Sequence, residues 1–292
     1  MSPTDIVANK YHVDKRLGGG SFGTVYRGKS LRNGETVAMK FESKTTEFKM
    51  LKREASILKY LYDLGCREIP LIYWFGPHQD SICLVMGHYD CCLSDYIKVK
   101  TLTLAQLDNV IVQYIQILQS VHRHFVIHRD IKPQNCMIKG GKMFLIDFGL
   151  ATFEVEEDTR PVSANKPCDT IVGSPKYVSY HVHCAHAPAR RDDLISMGYI
   201  YIYLYSMELP WDSVLSHGVN DEYPSELFVL NHKNQQRKLL KSWTSIQPIC
   251  LRVAKHFEQY MGYCYQLKSN ESPNYDLCMS FFTETTNGET TL

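Results

Sequence analysis

The sequence predicts an α+β chain in two unequal lobes, a small β-rich N-terminal lobe followed by a larger, mainly helical C-terminal lobe. Three observations predict it. Apolar β runs and tight-turn signals fill the first ninety residues, with one helical stretch among them. From residue 93 onward, apolar residues recur mostly at helical spacing. The 292 residues are 44% hydrophobic and 22% charged, enough apolar surface for one large core or two small ones, which excludes a wholly disordered chain.

The elements follow in order. Residues 12–41 read as hairpin strands: HVDKRL enters a glycine turn, TVYRGKS follows, Arg32-Asn33-Gly34-Glu35 turns tightly, and TVAMKF returns. Residues 46–63 read as a helix, because Leu51, Ala55, Leu58 and Leu61 recur at helix spacing. Residues 71–76 and 82–87 are short strands, and 88–92 cross between the lobes. LSDYIKV and residues 104–124 read as helices, the second with Leu107, Val110, Ile111, Tyr114, Ile115 and Leu118 as apolar positions. NCMI and KMFLIDF are β-like. The polar stretch 152–176 reads as an extended loop. Helices are expected at 191–207, 223–232, 247–266 and 274–283, before a polar tail over 284–292. The layout divides into 12–87, 88–92 and 93–283, with a cleft between the lobes where ligands bind by default.

Composition narrows the partners. Lysine and arginine number 32 against 31 aspartates and glutamates, so no global field draws the chain to nucleic acid or an anionic membrane, and neither is expected as a direct partner. The ten cysteines show no Cys-x-x-Cys pair, and the N-terminus carries no apolar signal segment. Reduced thiols and a cytoplasmic or nuclear location, not secretion, are expected. The sequon at Asn270-Glu271-Ser272 therefore carries no weight. The longest uncharged apolar run, 194–207, is short for a bilayer span and reads as a buried helix. Its alternating Tyr201, Tyr203 and Tyr205 also fit a strand, but the flanks favour the helix. The chain is expected to be a monomer.

Chemistry enters with Leu17-Gly18-Gly19-Gly20-Ser21-Phe22-Gly23-Thr24-Val25. Gly18, Gly20 and Gly23 carry a G-x-G-x-x-G spacing, and small residues let backbone amides approach phosphate oxygens. Alone the signal is weak and fits a plain β-turn. A dinucleotide fingerprint needs a helix after the last glycine, whereas Thr24-Val25-Tyr26 continues as β. Val37-Ala38-Met39-Lys40 ends a β run and places a cation under the loop. Glu54, fourteen residues on and on the expected helix, is its anchor in preference to Glu42 or Glu47. In His128-Arg129-Asp130-Ile131-Lys132-Pro133-Gln134-Asn135, Asp130 suits proton acceptance or orientation of an attacking hydroxyl. Lys132 suits charge compensation, and Asn135 offers a neutral metal-binding oxygen. His128 reads as structural, and Arg129 as a holder of an anion from loop 152–176. Asp147-Phe148-Gly149 closes a β run. A buried carboxylate there needs a cation, so Asp147 reads as a Mg²⁺ ligand, and Phe148 packs between the lobes.

Together these five elements resemble the eukaryotic protein kinase family over roughly residues 12–283, and Lys132 resembles the serine/threonine kinases. The resemblance implies a bilobal protein kinase fold, ATP and Mg²⁺ as cofactors, and protein substrates. No Ala-Pro-Glu closes the segment after Asp147. Gly173-Ser174-Pro175-Lys176-Tyr177-Val178-Ser179-Tyr180-His181, Arg190-Arg191-Asp192-Asp193-Leu194 and Leu209-Pro210-Trp211 are instead similar to the casein kinase 1 branch. The neighbouring vaccinia-related kinases differ at His-Arg-Asp and Asp-Phe-Gly. The resemblance implies that Gly20, Ser21, Val25 and Ala38 line the nucleotide site, that Met86 is the gatekeeper, and that Gly87-His88-Tyr89 form the hinge. Gly87 stands where the family usually has glutamate. Asp193 would hold the catalytic loop through its amides, or cap its helix. A preference for acidic or pre-phosphorylated substrates would fall to Lys176, with Arg160, Lys166, Arg190 and Arg191 adding positive potential against Glu154, Glu156, Glu157 and Asp158. The family's long regulatory tail is missing, so no autoinhibition by a tail is expected.

Two further clusters compete with bland readings. His181, His183, Cys184 and His186 suit zinc by type, but alternation puts too few on one side, and a groove or surface role is preferred. Cys91-Cys92 is expected to pack near the hinge. Two function classes remain: an active ATP-dependent serine/threonine kinase, and a kinase-fold scaffold or pseudokinase that acts by binding proteins. A vaccinia-related-kinase-like enzyme is the neighbouring alternative.

Overall fold

A computed structural model describes residues 5–20, 23–46, 49–154, 170–212, 228–229 and 232–283. Strands β1 (Ile6–Val7), β2 (Tyr11–Gly20), β3 (Gly23–Ser30), β4 (Thr36–Ser43), β5 (Ile72–His78) and β6 (Ser81–Gly87) form an antiparallel sheet in the order β1-β2-β3-β4-β6-β5. Helix α1 (Met50–Asp63) lies between β4 and β5 in sequence. The Asn33 turn joins β3 to β4, with the Asn33 side chain accepting from the Glu35 amide at 3.1 Å.

Strand alternation explains both faces of this sheet. Val37, Met39 and Phe41 of β4 pack with Cys83 and Val85 of β6 and with Val7, Tyr11 and Val13 in a small core. The intervening residues face the other way. Leu84 and Met86 join α1 in the large core, opposite Lys40 and Ala38 of β4 respectively. Val25 of β3 sits opposite Lys40. A single period-2 pattern thus lays Val25, Ala38, Lys40 and Met86 on one face.

The second part begins with β7 (Cys91–Cys92), α2 (Leu93–Val99) and α3 (Leu104–His122). Thr103 and Gln106 cap α3 reciprocally, at 3.3 and 3.0 Å. Short strands β8 (Val126–Ile127), β9 (Cys136–Lys139), β10 (Lys142–Leu145) and β11 (Thr152–Phe153) follow, with β9 between β10 and β7, and β8 beside β11. Then come β12 (Thr170–Ile171), α4 (Tyr180–His183), α5 (Arg190–Ser206), β13 (Phe228–Val229), α6 (His232–Leu240), α7 (Trp243–Val253), α8 (Lys255–Gln266) and α9 (Tyr275–Thr283). Helix α5 is buried around its circumference from Arg191 to Ile202, which marks the centre of a helical core and settles the tyrosine-rich run as helix.

Three expectations need correction. The helix expected over 223–232 fails at Phe228–Val229, which pair with β12 as a strand, and helix begins only at His232; residues 223–227, 230 and 231 lie outside the described ones. The single helix expected over 247–266 is two. Ala254 is extended (φ −167°, ψ 151°), which folds α7 back so that Ile246 and Cys250 bury in the same core as Phe257 and Met261. The helix expected from residue 46 is formed from Met50, where Glu42 accepts the Leu51 amide at 3.0 Å. The nine cysteines among the described residues are free thiols. None of the described helices is long and apolar enough to cross a membrane.

Leu118 on α3 is fully buried within this core. Leu118→Ala is expected to cost about 3 kcal/mol, read as a lower urea midpoint with unchanged slope.

Candidate active site

Lys40 ends the alternating pattern of β4 and reaches two carboxylates. Its Nζ lies 2.7 Å from Glu54 Oε2 on α1 and 2.7 Å from Asp147 Oδ1 after β10. Glu54 is buried and also accepts the Phe148 amide. Glu42, the rival partner, is spent on the first turn of α1, and Glu47 lies outside the described residues. Burial pushes Lys40 down, but Asp147 and Glu54 outweigh it and raise it above the usual lysine value. Burial pushes the Asp147 carboxyl up, and the Lys40 ammonium overrides this to hold it at about 2. Glu54 is raised, because burial exceeds the pull of Lys40 and Asp147 adds a like charge.

Above this triad, the glycine turn joins β2 to β3, with Gly18 opposite Val25 and Gly20 opposite Gly23. Gly23 has φ +115°, and a Cβ there would overlap the Phe41 carbonyl oxygen, so only glycine fits. Ser21 lies outside the described residues. Met86 is 7% exposed at the back of the face that carries Ala38. The Gly87 amide is bound by Leu71 O at 3.2 Å, and Tyr89 packs on Phe144 at 4.9 Å. A Cβ at Gly87 would meet only Tyr73 Oη, at 3.9 Å, so the site tolerates a side chain there.

The candidate catalytic segment is built around Asp130. Lys132 Nζ is 2.7 Å from Asp130 Oδ2, and Asn135 Nδ2 donates to Asp130 O at 2.8 Å and to Oδ2 at 3.1 Å. The Ile146 amide donates to Asn135 O, and His128 Nε2 meets Ile146 O, both at 3.0 Å, which ties this segment to Asp147. Asp193 anchors it from α5. Its carboxylate accepts the His128 and Arg129 amides at 2.8 and 2.9 Å and meets His122 Nε2 at 2.9 Å. Phe148 is fully buried against His128, ring to ring at 4.8 Å. Arg129 Nε donates to Leu150 O at 2.6 Å. Asp147 and Asn135 offer one carboxylate and one amide oxygen, hard donors that fit a magnesium ion held mainly by waters and phosphates.

Sequence reasoning missed three contributors. Ser174 donates through Oγ and its amide to Asp130 Oδ1 at 2.7 and 3.1 Å and accepts from Lys132 at 3.2 Å. His122 and Tyr275, joined at 2.7 Å, support Asp193 from α3 and α9. A serine after the Gly173 turn was visible in sequence, but nothing there signalled its reach to Asp130.

The anion candidates are placed less favourably. Lys176 pairs with Asp212 at 2.9 Å, and Arg190 pairs with Glu154 and donates to Ser272 at 3.0 Å. Arg190 also lines a cavity of about 580 Å³ with Gln119, Arg123 and His124, apart from the nucleotide face. Arg191 corrects the expectation: it is 6% exposed and donates to Leu267 O inside the helical core, so it faces no substrate. Arg160 and Lys166 lie outside the described residues. His181 and His183 lie on helix α4, not an alternating strand, and no group of three metal-ligating side chains forms among the described residues.

The protein kinase domain family matches residues 11–276. The chain belongs to the protein kinase family. Casein kinase I homologs 2 and 3 of Schizosaccharomyces pombe are 29% and 32% identical to it, over 99% and 96% of this chain. It spans 66% and 63% of those relatives' own lengths. Within the kinase family its similarity is therefore to the casein kinase 1 branch.

The ion triad gives this kinase domain a defined acid response. Asp147 is ionised more readily folded than unfolded, so its contribution is present above the unfolded value of about 4 and is lost as pH falls through that value toward about 2. Melting temperatures of wild type and Asp147→Asn should therefore converge across that window; a constant gap would contradict the pairing.

Proposed function

We propose that this chain transfers the γ-phosphoryl group of ATP to serine or threonine hydroxyls of proteins. The observation that carries the reading is Lys40 held by Glu54 and Asp147 at 2.7 Å each, beside an Asp130 that is itself positioned by Lys132, Asn135 and Ser174. Amides of the glycine turn and Lys40 bind the phosphates. Asp130 orients the substrate hydroxyl and takes its proton as the new oxygen–phosphorus bond forms and the bond to the ADP oxygen breaks. Lys132 offsets charge that develops on the transferring group. Asp147 and Asn135 would hold magnesium, which when bound neutralises phosphate charge. Backbone groups at 87–89 would bond adenine, with Met86 behind it.

Acidic or pre-phosphorylated substrates remain the proposed preference, centred on Lys176. Asp212 competes for that ammonium; the pair's side chains are 28% and 25% exposed, so an incoming anion must displace a neighbour. Charge compensation at Lys176 predicts a modest preference.

Radiolabel transfer from ATP to casein with Mg²⁺ tests the main reading. Lys40→Met and Asp147→Ala are expected to lose roughly a hundredfold or more in rate; equal labelling by all three proteins would assign the signal to a contaminant. A phosphopeptide series tests the preference. Asp212→Asn should lower KM for phosphorylated peptides about three- to tenfold while leaving unphosphorylated ones nearly unchanged. Equal effects on both would remove Lys176 from the site.

A further inference from the structure

Lys241, one residue past α6, is fully buried and is not used by the chemistry above. Its Nζ donates to Pro175 O at 2.9 Å and Val178 O at 2.7 Å, and meets His183 Nε2 at 3.3 Å. The faces of Trp211 and Tyr199 lie 4.8 and 5.0 Å away. No carboxylate among the described residues forms an ion pair with it. Two carbonyls and two aromatic faces are unusual company for a buried lysine, because a buried cation normally demands an anion. An ammonium would give its three N–H bonds to the two carbonyls and the imidazole. A neutral amine would keep both carbonyl bonds and turn its lone pair to the ring, so the contact to residues 175 and 178 survives either state.

The carbonyls it holds belong to the segment that meets Asp130. Ser174, next to Pro175, donates to Asp130. Between the two carbonyls, Lys176 O accepts from Trp211 Nε1 at 2.8 Å. Three of four consecutive carbonyls, those of 175, 176 and 178, therefore turn inward onto buried donors. At the segment's start, Gly173 has φ +107°, and a Cβ there would overlap Arg129 O, so the chain enters close against the catalytic segment. At its end, the Ser179 hydroxyl donates to Asp192.

We propose that Lys241 is a positioning residue for the protein substrate. It latches residues 175 and 178 from below, which sets the depth at which Ser174 reaches Asp130 and Lys176 faces an incoming protein. It acts through that segment and touches no reacting atom. The proposal rests on the kinase reading, since it concerns how that reaction's protein substrate is seated.

The test is Lys241→Met in the full chain, an apolar side chain of similar length. Loss of the latch should raise KM for casein roughly tenfold while KM for ATP stays within about twofold. Hydrogen exchange should quicken at the Tyr177 and Val178 amides, which donate to Ser174 O, while amides in the middle of α5 stay protected. Unchanged casein KM and unchanged exchange would overturn the proposal. So would a parallel rise in both KM values with faster exchange in α5, which would mean general loosening. Should Lys241→Met fail to fold, Trp211→Phe removes the N–H bond to Lys176 O together with part of a fully buried ring, and keeps an aromatic face. It should show the same KM split at smaller size, and its absence would count against the latch. If wild type labels no protein, the kinase reading fails and the substrate role with it, and the exchange data still decide whether the latch exists.

Discussion

A lysine ammonium taken out of water dictates the geometry around it. Lys40 is pinned in β4 by its neighbours in the sheet, so its partners must come to it. Removing each ion from water costs several kcal/mol, and only close, well-aligned partners offset that. Glu54 brings α1 against the sheet, and Asp147 brings the turn after β10. The two carboxyls respond differently to the same ammonium. Asp147 also feels Lys132 and His128 and stays ionised, whereas Glu54 is more deeply buried and feels Asp147 as a like charge.

Holding Asp147 there requires a costly backbone. Asp147 has φ +66° and Arg129 φ +68°, left-handed conformations that non-glycine residues avoid at a cost on the order of 1–3 kcal/mol each. Asp193 supplies the compensation on the Arg129 side. Its carboxylate takes two consecutive amides, and His122 and Tyr275 fix it from two further helices. Helix α5 is buried around its circumference from Arg191 to Ile202, so the aspartate near its start is held by a helix embedded in the core. Stability in the helical core is thereby converted into a defined bend in the catalytic segment.

Legibility in the sequence followed chemistry closely and packing loosely. Lys40, Asp130, Asn135 and Asp147 stood out because phosphate and metal chemistry tolerates few residue types, and their order along the chain is informative without any structure. Choosing Glu54 over Glu42 was also within reach, since helix position decided it. The break at Ala254 was not, because the stretch around it is apolar at helical spacing and only the fold shows that two faces must enter one core. The strand at Phe228–Val229 exists through its pairing with Thr170–Ile171, nearly sixty residues away, which no local pattern encodes. Ser174, His122 and Lys241 act through hydrogen bonds between distant segments, and their residue types are common enough to pass as ordinary.

The basic residues show the same limit from another side. The cations near the substrate segment read in sequence as added positive potential set against the acids of the same loop, and the overall charge of +1 neither supports nor opposes an anion-attracting groove. Each described member of that set proves to be engaged. Lys176 meets Asp212, Arg190 meets Glu154, and Arg191 spends its guanidinium on a carbonyl inside the core. What a cation offers to an external anion is its field after its own partners have taken their share, and that remainder depends on exposure and on how easily the partner leaves. Lys176 is the most exposed of the three, its side chain 28% exposed against 14% for Arg190, and its partner Asp212 is more exposed than Glu154, so exchange of Asp212 for a substrate anion trades one ion pair for another at the least desolvation cost. Arg191 would have to break a buried bond and cross the helical core to do the same. Selectivity for anionic substrates, on this argument, is set less by how many basic residues surround the groove than by the single acid that shares the most available one.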